Sequence, residues 1–528
     1  MARIRRWIPT LVIFAMSAVV VFPFLLLLRF ESGTSFPQTP WHVIALLSLK
    51  SVILPMLASF VAALVALAIV ATGYLCLGRV ARRMVFMACA IPFLFPPVLT
   101  AHAIHVAFGR PSLLLTMTLV GLPFAVFGQA VALRFVDAPL LATGRDLGLR
   151  LPALSRRTIF PVWSRGATAG WFWGNLVLFS DPGLYEVYGG TQSYLASHLL
   201  RAVNGGAPPQ VVARAVLFVI VPAVVLALLV ALRPGWLRWP RERLGRQAHI
   251  SELLEGVSCP RWLKGLVASV TVGTMGVLLV IVATVVRGAA RALANDMVPS
   301  AAMVIPTVIL ILVAVPLSAG GALGLSVAIS HTRGWVGAYG RALVTFMVIV
   351  SPVAVGSVLA SAFRLPVTAG DQIVLPSLVG GGAILGGWIG LLLAAVSVCL
   401  PLSTVLLLAA LSLRSIDDVA AARDLGAGRV RVLMTVEAPY FSTIAIASLC
   451  LQAGMLLTNI APLVFVQPSG TQLVTPTLLT LVASGLSDEA FALASIAGLL
   501  TCCAMAGVIA VVRTTISSTD QRKRWRRQ

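Results

Sequence analysis

The residues whose spacing invites a chemical reading are Arg145-Asp146-Leu147-Gly148 and their unchanged second copy, Arg423-Asp424-Leu425-Gly426. In both copies a Pro follows the Gly by thirteen residues, Pro161 and Pro439, and a Ser stands three further on, Ser164 and Ser442. The types suit recognition and leverage rather than bond making. A charged helix end runs into a Gly where the chain can turn sharply, and an amphipathic stretch then leads to a Pro that opens the next apolar segment. Asp146 and Asp424, each beside an Arg, can bind free amides or pair with a partner. Equally, each can form a solvated surface ion pair of little energetic worth.

Other reactive types do not assemble into a catalytic group. The three lysines, Lys50, Lys264 and Lys523, all lie outside any Gly-x-x-x-x-Gly-Lys-Ser/Thr loop, so the chain has no phosphate cradle of its own. The seven Cys are scattered, mostly in apolar runs, and show neither a disulfide framework nor metal-ligand spacing. His102 and His105 lie three apart, on one helical face, and read either as substrate contacts or as packed interfacial histidines. No nucleophile–base set and no zinc cluster is present in the pattern, which leaves a membrane-embedded enzyme as the weakest reading. No cofactor or metal is expected.

The elements that must position the repeated loops are apolar spans. Of 528 residues 59% are hydrophobic and 11% charged, against roughly 25% charged in soluble domains. The expected class is therefore all-α, a polytopic membrane protein. A net charge of +22 would suggest nucleic acid for a soluble chain, but between apolar spans the basic residues set orientation, and no nucleic-acid partner is expected.

Spans are expected near Ile8–Leu28, Val52–Leu77, Met84–Ala107, Leu113–Leu133, Ala167–Phe179 with a break at Asp181-Pro182-Gly183, and Val211–Leu232. After a hydrophilic linker they resume near Leu266–Val286, Val304–Ile329, Leu343–Ala362, Ile384–Leu411, Ile444–Phe465 and Phe491–Val512. Most approach the roughly 20 residues a bilayer requires. With both termini inside, 31 of the 39 basic residues fall on internal segments, which supports about twelve transmembrane helices and puts both repeated loops in the cytoplasm. The resulting division is a first half, 1–232, with its loop at 137–161; a cytoplasmic linker, 233–264; a second half, 265–513, with its loop at 415–439; and a basic cytoplasmic tail, 514–528, that anchors on anionic lipid.

The duplication extends beyond the loops. Val52-Ile53-Leu54 matches Val308-Ile309-Leu310, and Pro96 matches Pro352, both 256 residues apart, whereas the loops are 278 apart. The second half therefore holds about twenty-two extra residues, expected within Arg364 to Gly382. Gly189-Gly190-Thr191-Gln192 corresponds to Ser469-Gly470-Thr471-Gln472. Six spans per half give both halves the same topology, a parallel repeat about an axis along the membrane normal, with a path on that axis.

At these residues the chain resembles the permeases of binding-protein-dependent ABC importers, whose cytoplasmic Glu-Ala-Ala (EAA) loop carries a Gly and a later Pro and docks into the ATPase. The family's Glu-Ala-Ala falls on Ala142-Thr143-Gly144 in the first copy, while Ala420 takes the Glu position in the second, so both copies lack the Glu. The fused arrangement is most similar to ferric-iron-type permeases, whose relatives handle thiamine, phosphonates or polyamines. The resemblance implies a type I importer fold with two tandem six-helix halves. It also implies two cytoplasmic ABC ATPase subunits, a periplasmic or lipid-anchored solute-binding protein, and residence in a bacterial inner membrane. The coupling residues carried over are Ala142, Arg145, Asp146, Gly148 and Pro161, with Ala420, Arg423, Asp424, Gly426 and Pro439. Trp171, Trp173, Asn175 and Asp181, with Thr458 and Asn459, match positions that line the family's path, although core packing is an open alternative for them. An ion-gradient-coupled secondary transporter is the competing reading. The scarcity of acids inside the spans weighs against it, Asp181 and Glu186 being the nearest candidates.

Overall fold

The computed structural model describes residues 2–28, 40–109, 112–133, 136, 143, 156, 159–188, 194–232, 260–297, 301–332, 334–369, 372–380, 382–412, 416–459, 461–468 and 470–525. The chain is an all-α polytopic membrane protein. Among the described residues eight helices are long and apolar enough to cross a membrane. They are α1 (Ala2–Leu28), α2 (Trp41–Leu75), α6 (Leu113–Ala132), α10 (Pro209–Leu232), α11 (Arg261–Ala294), α12 (Ala301–His331), α15 (Trp388–Ser412) and α21 (Ser487–Trp525).

Three of the other four expected spans are broken rather than continuous, and prolines and a short capped turn explain the breaks; the fifth, Ala167–Phe179, lies inside one helix that ends at Ser180, before the expected break at Asp181. Met84–Ala107 divides into α3 (Arg79–Ala88), α4 (Ile91–Leu94) and α5 (Pro97–Phe108). Phe95 and Pro96 are extended, with ψ of 148° and 141°, because a following proline ring disfavours the helical region. Leu343–Ala362 divides at Ser351-Pro352 into α13 (Gly334–Ile349) and α14 (Pro352–Phe363), bent by 94°, and the Ser351 hydroxyl accepts the Ala354 N–H at 3.3 Å to cap the second piece. The expected fifth span falls in α7 (Phe160–Ser180), followed by α8 (Pro182–Tyr188) and α9 (Leu195–Asn204). The eleventh is α18 (Ala438–Thr458), followed by α19 (Ala461–Val466) and α20 (Val474–Ala483). Two expected boundaries shift. Arg261 to Lys264, placed in the linker, are helical, and α21 runs through 514–525 where a separate tail was expected.

Elements recur in register. α7 and α18 are each 21 residues long and start 278 residues apart; α9 and α20 are each 10 long; α5 and α14 are each 12 long. The repeat differs between its third and fourth spans. Residues 109–112 join α5 to α6, whereas 364–387 join α14 to α15 and hold a hairpin of β1 (Val367–Ala369) and β2 (Gln372–Leu375), with Thr368 opposite Ile373. Leu378 and Val379 then tuck back into the core, both N–H groups donating to the Phe363 carbonyl at 3.0 and 3.2 Å.

Packing interleaves the two series. α2, α6 and α7 form one group and α12, α15 and α18 the other, while α1 packs on α12 and α14, and α11 on α2, α5 and α21. Ile13 of α1 is accordingly fully buried among Leu325, Leu343 and Leu407. Apolar contact with lipid is as favourable as apolar contact with protein, so helices in a bilayer need close backbone approach or hydrogen bonds to associate. α6 and α7 use the first: a Cβ placed on Gly128 would lie 2.6 Å from the Gly166 carbonyl oxygen, and one on Gly170 2.6 Å from that of Phe124.

Candidate functional site

The second repeated loop is a helix, a turn and a second helix. α16 (Ile416–Asp424) ends where Gly426 adopts φ +77°, a left-handed conformation that costs a side-chain-bearing residue about 1–2 kcal/mol. The Gly426 N–H donates to the Arg423 carbonyl at 2.9 Å and the Ala427 N–H to that of Ala422 at 3.0 Å, the paired bonds of a Schellman end. The chain then enters α17 (Arg429–Val432), continues through a π turn, Leu433–Glu437, and becomes α18. Val419 and Val432 are the buried anchors of this unit, and α16 packs against α17 and the π turn.

The residues around the turn itself face outward. Ala420, Arg423, Asp424 and Gly426 are exposed, and Leu425 is 89% exposed, an extreme value for a leucine outside the spans. Among the described residues neither Arg423 nor Asp424 forms an ion pair. Pro439 stands in the first turn of α18 and Pro161 in the first turn of α7. In the first loop Ala142, Arg145, Asp146 and Gly148 lie outside the described residues; Thr143, between them, is helical and exposed.

About thirty ångströms away along α7, at 1.5 Å per residue, the helix stops at Ser180. Asp181 is buried, and its Oδ1 accepts the Leu184 N–H at 3.0 Å, which caps α8. Asn459, 278 residues later, also holds the start of the next helix, α19, but one residue tighter: its Oδ1 accepts the Ala461 N–H two residues on, at 3.2 Å, where Asp181 reaches three residues on. A second matched pair lies alongside. The Leu195 N–H at the start of α9 donates to the Ser51 hydroxyl at 2.8 Å, and the Val474 N–H at the start of α20 donates to the Thr307 hydroxyl at 3.0 Å. α8 packs on α5, α9 and α20, while α19 packs on α14 and α9, so side chains of both halves meet in one apolar core at this end. The buried rings of Tyr185 and Tyr194 meet there at 4.6 Å, tilted by 32°.

The remaining residues singled out from sequence are dispersed. Trp171 Nε1 donates to the Met56 carbonyl at 3.1 Å, which ties α7 to α2; the Trp173 ring meets Phe172 edge-on at 6.3 Å. Asn175 is half-buried, and its Oδ1 has no partner among the described residues. The Thr458 hydroxyl donates to the Gly454 carbonyl at 3.0 Å. No hydrogen bond joins the α7 group to Thr458 and Asn459 among the described residues. His102 Nε2 lies 2.9 Å from the Ser487 hydroxyl and its ring contacts Phe491, while His105 meets Tyr188. Glu186 pairs with Arg201 at 3.4 Å. Among the described residues no three His, Cys, Asp or Glu side chains gather as metal ligands.

Two features were not singled out from sequence. The Ser51 and Thr307 caps immediately precede the matched Val-Ile-Leu triplets, one residue outside the similarity that marks the repeat. A buried polar lock joins α12, α15 and α18. Ser318 donates to Gln452 Oε1 at 2.6 Å, Gln452 Nε2 bonds the Ser403 hydroxyl, and Ser448 donates to that hydroxyl at 2.8 Å. Its members are far apart in the chain, and no spacing rule links them. No protein-family model matches the chain, and a search of curated proteins gives no significant match.

Proposed function

We propose that the chain is the complete membrane permease of an ATP-driven, binding-protein-dependent importer, with about twelve transmembrane helices in two fused halves and both termini in the cytoplasm of a bacterial cell. The carrying observation is the repeated Arg-Asp-Leu-Gly loop, whose second copy projects as a helix and Schellman turn with Leu425 almost wholly uncovered. An exposed leucine preceded by exposed Arg423 and Asp424 on a defined turn suits a cleft on a partner protein. Two such loops call for two ATPase subunits, and the absence of a phosphate-binding loop assigns hydrolysis to them.

In this reading a solute-binding protein delivers a small solute, ferric iron being one candidate, to the end closed by α8, α9, α19 and α20. Nucleotide-driven closure of the ATPases pulls on the loops, and the rigid helices that follow carry that motion to the far end. The two matched helix breaks, capped by Asp181 and Asn459, stand where α7 and α18 hand over to the closing elements.

The test is co-expression with an ABC ATPase subunit and pull-down from detergent. Wild-type chain retains the ATPase and the complex hydrolyses ATP. Leu425→Asp leaves the fold unchanged, since the side chain touches almost nothing, and releases the ATPase. Gly426→Val meets no neighbouring atom within 4 Å but forces the turn out of φ +77°, and it uncouples hydrolysis from uptake. ATPase retention and normal uptake in both variants would sink the proposal.

A further inference from the structure

The Pro that stands thirteen residues beyond each loop glycine coincides with a second repeated feature. Between the second loop and its membrane helix lies the π turn Leu433–Glu437. At the matching positions 278 residues earlier, Arg156 and Ile159 are also in π conformation, directly before α7. Elsewhere among the described residues the helices are α or 3-10.

Proline chemistry explains the placement. A proline lacks the N–H that would bond four residues back, and its ring collides with that carbonyl. For Pro439 the carbonyl belongs to Thr435, in the middle of the π turn; for Pro161 it belongs to Arg157, between the two π residues. Widening the backbone to an i to i+5 pattern moves the carbonyl off the ring, and such single π turns recur at functional sites. The Thr435 hydroxyl donates to the Arg431 carbonyl at 2.6 Å, an additional side-chain competitor for the regular ladder. Met434 is 67% exposed and Thr435 is exposed, so these two side chains do not hold the turn in one register. α16 rests against this same segment, so the loop moves with it.

Resting on the proposed coupling role of the loops, we infer that the π turn Leu433–Glu437 is the joint at which the second loop rotates against its membrane helix. Resorbing the extra residue into α register turns the preceding segment by about 100° around the helix axis and shifts it about 1.5 Å along it. The proline keeps this exchange cheap, because it removes one donor from the ladder that would otherwise fix the register.

The experiment uses the full-length chain alone in lipid nanodiscs, which separates it from the question of whether an ATPase docks. Spin labels at Leu425→Cys and Ile446→Cys, with the native cysteines replaced, report the loop-to-helix distance. Amide exchange compares 433–437 with 444–458. The unmodified chain gives a broad or two-component distance distribution and exchange in 433–437 faster by about tenfold or more, as for a locally opening segment. Pro439→Ala, which restores the N–H and introduces the best helix former, leaves thermal stability equal or higher, narrows the distribution and slows the exchange to that of α18. A single narrow distance in the unmodified chain, or exchange in Pro439→Ala indistinguishable from it, overturns the joint. Failure of the pull-down above, with these two readouts as expected, sinks the coupling reading and leaves the flexibility of the turn established.

Discussion

In the first half, α6 and α7 meet through Gly128, Gly166 and Gly170, close enough that a Cβ on any of the three would strike backbone or side-chain atoms of the facing helix. In the second half the corresponding helices, α15 and α18, carry Ile444 and Ser448 where α7 carries Gly166 and Gly170, and Gln452 where it carries Gly174. There the seam is joined by the Ser318, Ser403, Ser448 and Gln452 lock. The two seams occupy the same place in the order of the chain, and α7 and α18 have the same length. They differ in what chiefly replaces the missing hydrophobic drive inside a bilayer: close backbone contact in the first, with one bond from Trp163 Nε1 to Gln129 Oε1 at 3.2 Å beside it, and a network of buried hydrogen bonds in the second. The polar solution fixes register at four side chains, since a one-residue slide would strand them all; the glycines themselves fix only distance, and register there rests on the single Trp163–Gln129 bond.

The comparison breaks most visibly if the glycine seam tolerates bulk. Gly170→Val would place a β-branched side chain 2.6 Å from the Phe124 carbonyl oxygen and 2.9 Å from the Ala125 Cα. Neither backbone atom can yield as a side-chain tip would, so the expected loss is about 3 kcal/mol, read as a lower unfolding temperature in detergent. Ser448→Val, at the matched position, loses one hydroxyl bond and should cost about 1 kcal/mol. Equal effects at the two positions would remove the distinction. The polar seam is probed by Gln452→Leu, which keeps the volume and leaves the Ser318 and Ser403 hydroxyls without their shared partner. The expected cost is about 1 kcal/mol, near the upper part of the range for such bonds in membranes.

These seams also mark the limit of what the sequence discloses. The Gly166, Gly170 and Gly174 spacing is a local signal, readable as one small-residue face of a helix. Likewise local are the repeated loop, the apolar spans, and the position of the extra residues between Arg364 and Gly382, which fold as the β1–β2 hairpin. The breaks at Pro96-Pro97 and Ser351-Pro352 are legible in principle, but a continuous apolar composition hides them; hydropathy reports burial and not helix direction, so a 94° bend leaves no trace in it. The Gln452 lock is hidden for a different reason. Ser318 and Gln452 are 134 residues apart, and only the fold brings them together. Asp181 reads from sequence as the acid nearest a transport path, yet its visible role is local, capping the turn into α8.

Where the halves agree, substitutions should agree too. Ser51→Ala and Thr307→Val each remove the hydroxyl that accepts the first amide of α9 or α20, at 2.8 and 3.0 Å. The loss should be about 0.5–1 kcal/mol at Ser51 and no smaller at Thr307, whose hydroxyl also donates to the Met303 carbonyl at 3.1 Å. A loss confined to one half would mean that the other start is held by something besides this bond.

The smallest effect is expected at Asp181, and it sharpens the comparison because nature has already placed the amide in the other half. Asn459 holds its turn with a neutral carbonyl oxygen at 3.2 Å, on the amide two residues on rather than three, and Asn is as good an N-cap as Asp, so the Asp181 charge is not needed for capping. Asp181→Asn retains the acceptor for the Leu184 N–H and should change stability by less than about 0.5 kcal/mol, while Asp181→Ala should cost about 1 kcal/mol by leaving that amide unmet. Transport should follow stability through the pair: normal in Asn, reduced in Ala. If uptake fails in Asp181→Asn while the unfolding temperature is unchanged, the carboxylate does something that Asn459 cannot. The two halves would then differ in charge along the path as well as in how their helices are held together.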